Sequence, residues 1–289
     1  MFKFPENHPL SLGCMSLPLS DEKTCARIID MSIDNGITLF DTADLYQQGA
    51  NETMLGILLK SHRTKIKIAT KVGNQLRPDG SGWDWNPRKD YILKAVERSL
   101  KRLQIEQIDL YYLHGGTLED PTEESIEAFE ILKEQGKIAH YGISSIRPAV
   151  VKRWTERANI SALMTQYSIA DRRPEQEIIP EVLGKNVGIM VRGALVQGKL
   201  HGVKTGGYLQ HSEEAMAKAT TQLKSWSQEY GVSVSSMLLH FVFNKPGVQS
   251  IVAGVSGTAQ LLELLNALKE TPTKELITKM QDLLPIGSY

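Results

Sequence analysis

Cysteine is nearly absent from this chain of 289 residues: Cys14 and Cys25 are the two it has. Two thiols build neither a disulfide framework nor a cysteine-rich zinc site. An excess of one charge is missing too, since 33 Lys and Arg face 33 Asp and Glu. Without a net field there is little to hold nucleic acid or an anionic membrane surface, so small-molecule chemistry is the better expectation. No apolar run reaches the roughly 18 residues of a membrane helix, and the first residues carry no apolar core of signal-peptide length. A cytoplasmic protein is therefore expected, and the Asn-x-Ser/Thr patterns at Asn51 and Asn159 are read as chance matches. Also lacking are a G-x-G-x-x-G turn after the first strand and a G-x-x-x-x-G-K-[ST] phosphate loop. Their absence argues against an open dinucleotide-binding sheet.

What is present is a rhythm. Eight short apolar or β-branched runs recur: Leu10 to Cys14, Ile37 to Asp41, Ile66 to Lys71, Gln107 to His114, Ile138 to Ser144, Leu163 to Tyr167, Gly188 to Arg192 and Val248 to Gly254. Between them lie stretches with helical spacing, such as Asp21 to Asn35, Asp90 to Leu103, Thr122 to Gln135 and Glu175 to Lys185. Repeated βα units mean a parallel sheet, and the length sits near the roughly 250 residues of a closed eight-stranded barrel. The expected fold is α/β, a single-domain (β/α)8 TIM barrel over the whole chain. Two stretches interrupt the rhythm, a long loop from Asn74 to Pro87 with Trp83 and Trp85, and a second from Lys199 to Ser212 with Tyr208. Both follow strand C-termini, where barrel enzymes place their sites, and the three aromatics are candidates for a pocket wall.

Reactive side chains stand at or just beyond four of those strand ends: Asp41, Lys71, His114 and Arg192, with Tyr46 in the loop beyond Asp41. A phenol is a poor acid at neutral pH, and an ammonium beside it stabilises its anion and lowers its pKa. Lys71 supplies that charge, Asp41 holds Lys71 protonated, and His114 reaches an oxygen on which negative charge develops. That is a site for carbonyl reduction. Each residue taken alone has a plainer reading: a helix cap, a rim aromatic, a solvated strand end, a core histidine. The pattern at neighbouring strand ends favours the joint one.

Order and local wording resemble the aldo-keto reductase family over nearly the whole chain, including its branch with potassium-channel beta subunits. The matching segments are Asp41-Thr42-Ala43-Asp44-Leu45-Tyr46, Asn51-Glu52 with Leu55-Gly56, Ala69-Thr70-Lys71, Ser99-Leu100-Lys101-Arg102-Leu103, and Ile108-Asp109-Leu110 running to His114. The resemblance implies hydride transfer from a reduced nicotinamide dinucleotide to an aldehyde or ketone, with Tyr46 as general acid, Lys71 and Asp41 its activators and His114 orienting the carbonyl. It also implies cofactor contacts. Gly13, Cys14 and Met15 match the strand-end segment at the ribose. Ser144, Ser145 and Gln166 match the carboxamide-binding set, with Ser145 where Asn is usual. Arg192 stands where an aromatic ring often stacks, and a rim ion pair is its alternative. It is followed by Gly193, Leu195, Gln197 and Gly198. Gly254, Val255, Ser256, Gln260 and Glu263 match the segment at the adenosine phosphate. NADP(H) is the family default, but this last stretch lacks the basic residue that commonly holds the 2′-phosphate, and Leu264 stands where Asn is usual, so NAD(H) stays open. Cys14 is read as a small apolar side chain ahead of a redox thiol.

Three other functions fit parts of the pattern: a cofactor sensor or regulatory subunit with little turnover, a barrel aldolase with Lys71 as Schiff-base nucleophile, and metal-dependent hydrolysis. The last is weakest, because His114 has no second His or Cys at ligand spacing. The particular carbonyl substrate and the oligomeric state are not legible.

Overall fold

The structure is a computed structural model that describes residues 2–5 and 8–289. Eight strands are parallel and close on themselves: β1 (Leu10–Gly13), β2 (Leu39–Asp41), β3 (Lys67–Val72), β6 (Ile108–Leu113), β7 (Ile138–Ser144), β8 (Ala162–Gln166), β9 (Gly188–Arg192) and β10 (Val248–Gly254), with β10 pairing back onto β1. The remaining two, β4 (Asn74–Leu76) and β5 (Trp83–Trp85), form a separate antiparallel hairpin. Around the barrel lie α1 (Glu22–Asp34), α2 (Ala50–Leu58), α3 (Lys89–Leu103), α4 (Thr122–Glu134), α5 (Pro148–Arg157), α6 (Ile178–Val182), α7 (Glu213–Tyr230), α8 (Val234–Phe243), α9 (Thr258–Ala267) and α10 (Lys274–Met280). The (β/α)8 expectation holds. Among the described residues no helix is long and apolar enough to cross a membrane.

The period-2 alternation of a strand divides the core in two. Along β6, Leu110 and Tyr112 point into the barrel while Tyr111 and Leu113 join the layer under the helices. Leu39 of β2, Ala69 of β3, Ala162 and Met164 of β8 and Met190 of β9 complete the lumen, and Phe2 and Phe4 pack with them. The lumen is tight. A Cβ on Gly142 would lie 2.1 Å from the Ala162 carbonyl oxygen and 3.0 Å from the Tyr112 ring, so only glycine fits there. The same alternation carries the chemistry: two residues beyond Leu39 and Ala69, the inward positions are Asp41 and Lys71.

Two expectations need correction. The stretch Asn74 to Pro87 is not a plain loop but carries the β4–β5 hairpin, held down where the Trp85 indole N–H donates to Asp120 at 2.8 Å. The helix read from Glu175 to Lys185 shrinks to α6 behind a short 3₁₀ turn (Arg173–Glu175). Pro180 supplies no N–H to the turn before it, and Gly184, at φ of 80°, lies just past the end. The start of α1 behaves as read, with the Asp21 carboxylate accepting the Thr24 N–H at 3.0 Å. Asn51 is fully buried, donating to the Cys14 carbonyl at 2.8 Å and accepting from the Thr42 hydroxyl at 2.7 Å, so it is no glycan acceptor in the folded chain.

Candidate active site

Strand register brings the four proposed catalytic residues together at the C-terminal mouth of the barrel. Asp41 ends β2, Lys71 lies one residue short of the end of β3, and His114 follows β6, its N–H donating to the Val72 carbonyl at 2.7 Å. Tyr46 opens a short 3₁₀ turn (Tyr46–Gly49) in the next loop. The Lys71 ammonium is the hub. Its Nζ donates to both Asp41 oxygens at 2.8 and 2.7 Å and to the Thr42 carbonyl at 2.7 Å, and lies 3.4 Å from the Tyr46 hydroxyl. The Tyr46 and His114 rings meet edge to face, 6.1 Å between centroids.

Burying two charges is costly unless each finds the other, and here both Asp41 oxygens face one ammonium. Burial opposes the Lys71 charge, but Asp41 and Tyr46 outweigh it and hold Lys71 above its ordinary pKa. Asp41 moves up through burial, against the pull of Lys71. Tyr46 departs from the sequence expectation: burial lifts the phenol above its ordinary value, and Lys71 only reduces the rise. The phenol is thus kept protonated at neutral pH, which is the form an acid needs. Burial, with Lys71 and Arg192 adding to it, depresses His114 from 6.5 to about 3, so its imidazole is neutral. Its Nδ1 is buried without a hydrogen-bond partner.

These groups form one wall of a cavity of about 630 Å³. Its rim is made by the ends of β1, β7, β9 and β10 through Gly13, Ser144, Arg192 and Gly254. The chain matches a model of the aldo/keto reductase family over residues 9–285. It belongs to that family. It is 40% identical over 267 residues to the uncharacterized oxidoreductase YqkF of Bacillus subtilis (strain 168), covering 89% of this chain and 86% of that one. A 34% identity over 203 residues links it to the aldo-keto reductase yakc [NADP(+)] of Schizosaccharomyces pombe, covering 67% of this chain and 59% of the other. The holo form of aldo-keto reductase AKR11C1 from Bacillus halodurans superposes with a TM-score of 0.90 at 39% identity, over 99% of this chain and 97% of that one.

In this aldo-keto reductase the expected cofactor residues divide. Gly13, Met15, Ser144, Ser145, Arg192, Gly193, Leu195, Gln197 and Gly254 line the cavity. Gln166 stands behind Arg192, accepting from its guanidinium at 2.7 Å. Among the described residues Arg192 meets no carboxylate, so the rim ion pair considered for it does not form there; its partner is an amide. Cys14 is fully buried, its thiol directed at the Leu12 carbonyl at 3.5 Å, and burial pushes its pKa well up, against a redox role. Val255 is buried too, and Gly198 lies outside the lining. Ser256, just before α9, and Gln260 and Glu263 within it are outside the lining: Gln260 accepts the Ser256 N–H at 2.8 Å, and Glu263 accepts the Ser235 hydroxyl at 2.6 Å. Leu264 is buried, so it makes no polar contact there.

The cavity fits a nicotinamide dinucleotide in two respects. Glycines at two adjoining strand ends, Gly13 and Gly254, leave the backbone bare, and the partnerless His114 nitrogen marks that wall as built around something polar. Trp83, Trp85 and Tyr208 do not line the cavity. Trp85 packs on Gly73 and Gly115, and the Tyr208 hydroxyl sits 3.4 Å from Gln166. The reading missed Ile146 and Arg147, which do line it. Their one signal is position, directly after the Ser144-Ser145 strand end.

Proposed function

We propose that this chain reduces an aldehyde or ketone to an alcohol with NADPH, Tyr46 acting as general acid. The observation that carries the reading is Lys71 bridging Asp41 and Tyr46 on the wall of the cavity. Ser144, Arg192 and Gly193 would hold a reduced nicotinamide, which would supply the hydride that the carbonyl carbon takes up. The Tyr46 hydroxyl gives its proton to the carbonyl oxygen, and the phenolate left behind faces the Lys71 ammonium, whose charge opposes the burial that would otherwise make that anion costly. The neutral His114 imidazole can donate one hydrogen bond to the same oxygen without bringing a competing charge. NADPH is favoured by the name of the Schizosaccharomyces pombe relative, which carries NADP(+).

The test is turnover of a panel of aromatic and dicarbonyl aldehydes by wild type and Tyr46→Phe, alongside titration of NADPH and NADH by tryptophan fluorescence. A general acid contributes roughly 10²–10⁴-fold, so the variant is expected to lose that much in kcat while binding the cofactor as before. Equal rates would remove Tyr46 from the mechanism. Tight cofactor binding with negligible wild-type turnover would point to the sensor reading, and tighter NADH than NADPH would change the cofactor.

A further inference from the structure

A second cavity, of about 500 Å³, lies outside the barrel mouth between the β4–β5 hairpin and α3. Its helix wall is Asp90, Tyr91, Lys94, Arg98 and Arg102; the three basic residues stand four apart and hence on one face of α3, with the exposed Asp90 carboxylate one turn before them. The hairpin side contributes the amides of Asn74, Gln75 and Asn86, and Asp44 lines it from the loop that carries Tyr46. Basic residues near a helix C-terminus answer the dipole, which accounts for Arg102 but not for Lys94 in mid-helix. Arg102 is also paired with the fully buried Glu52, at 2.6 Å. Among the described residues Lys94 and Arg98 enter no ion pair with a carboxylate; Arg98 lies over the Tyr91 ring at 5.5 Å. Asp44 is 6% exposed, and its Oδ1 is buried without a hydrogen-bond partner.

We propose that this side pocket binds a small tetrahedral oxyanion of the phosphate class, on Arg98 and Lys94, with the Asp44 carboxyl group donating its proton to the anion. Lys94 and Arg98, with the neutral amides, outnumber the one exposed carboxylate of the lining, Asp90, and the guanidinium fork matches the anion's oxygens. A metal ion is a poor alternative, since among the described residues no three His, Cys, Asp or Glu side chains gather to hold one. Asp44 would repel an anion only as a carboxylate. Burial, with Glu52 adding to it, raises its pKa to about 8 against Arg102 and Arg98. The other groups around it are Asp90, Tyr91 and Lys94 on α3 and Tyr111 on β6. Anion binding therefore retains a proton on Asp44 and tightens as pH falls from 9 to 7.

Sulfate keeps the same charge over that range, so calorimetric titration of sulfate into the cofactor-saturated protein reads the pocket alone. Saturable binding is expected, weakened about tenfold or more in Arg98→Gln, the scale of a lost hydrogen bond to a charged group. Lys94→Gln should weaken it as well. Both side chains are exposed, so folding is not at risk, and Arg98→Gln should leave turnover without added anion unchanged. The pH dependence should vanish in Asp44→Asn. Tighter binding of glycerol 3-phosphate than of sulfate would assign the pocket to a phosphate ester, and equal binding to the free ion. Sulfate binding that is absent, or identical in wild type and Arg98→Gln, would overturn the proposal.

Discussion

The Lys71 ammonium sits between the two oxygens of the Asp41 carboxylate, 2.8 and 2.7 Å away, with both side chains under 5% exposed. Removing one partner leaves a buried charge with no compensation, which costs about 3–5 kcal/mol. Asp41→Asn and Lys71→Met should each lower the urea midpoint accordingly. The double variant should recover part of the loss, because it removes both charges. Strictly additive losses would show that the pair is not the unit described.

His114 gives a pH signature of its own. Its folded pKa of about 3 lies below its ordinary 6.5, so between those values the unfolded chain holds a proton that the native chain does not. Stability therefore falls as pH falls through that window. His114→Gln should flatten thermal midpoints between about pH 6 and 4, and the wild-type rate profile near pH 6.5 should show no histidine step. Titration of the His114 ring itself there, seen by NMR, would contradict its burial.

Asp44 has the opposite sign. A folded pKa raised from 3.8 to about 8 means that the native chain keeps a proton the unfolded chain has lost. The resulting stability is full below 3.8, is lost progressively as pH rises from there, and is gone by about 8. Asp44→Asn, with no proton to lose, should lose less stability than wild type as pH rises from about 4 to 8. Parallel curves of melting temperature against pH for the two proteins would refute it.

Gly56 tests the packing of α2 on α3. Helix propensity alone favours alanine there by about 1 kcal/mol. A Cβ on Gly56, however, would lie 2.3 Å from the Arg102 carbonyl oxygen and 2.7 Å from the Leu103 carbonyl carbon, both backbone atoms that cannot swing aside. Gly56→Ala should therefore destabilise, by about 1–3 kcal/mol or more in chemical denaturation, against its propensity. A stabilised variant would mean that the two helices can part freely.

Much of the barrel was legible because alternation and helical spacing are local. Leu39-Phe40-Asp41 and Ala69-Thr70-Lys71 show in their order which side chains face one way, and four strand-end residues in one pattern are hard to explain singly. The proposed catalytic residues are legible on that basis, and the register that joins Asp41 to Ala69 and Lys71 to Tyr112 brings them together.

The rest depended on contacts that no local pattern encodes. Whether Lys71 or burial governs the Tyr46 phenol is a balance of desolvation against one charge, and burial exists only once the barrel is closed. The same holds for Cys14 and Val255, consecutive with cavity residues yet turned into the core. The side pocket arises from a hairpin that reads as loop, from the helix α3 that follows it, and from Asp44 in a loop well before both in sequence. The sequence by itself determined the βα repeat and which reactive residues share the barrel mouth, since both follow from periodicity. Only the tertiary structure decided what each of those groups is paired with and how it is charged, because desolvation and pairing depend on neighbours that chain closure brings from distant strands.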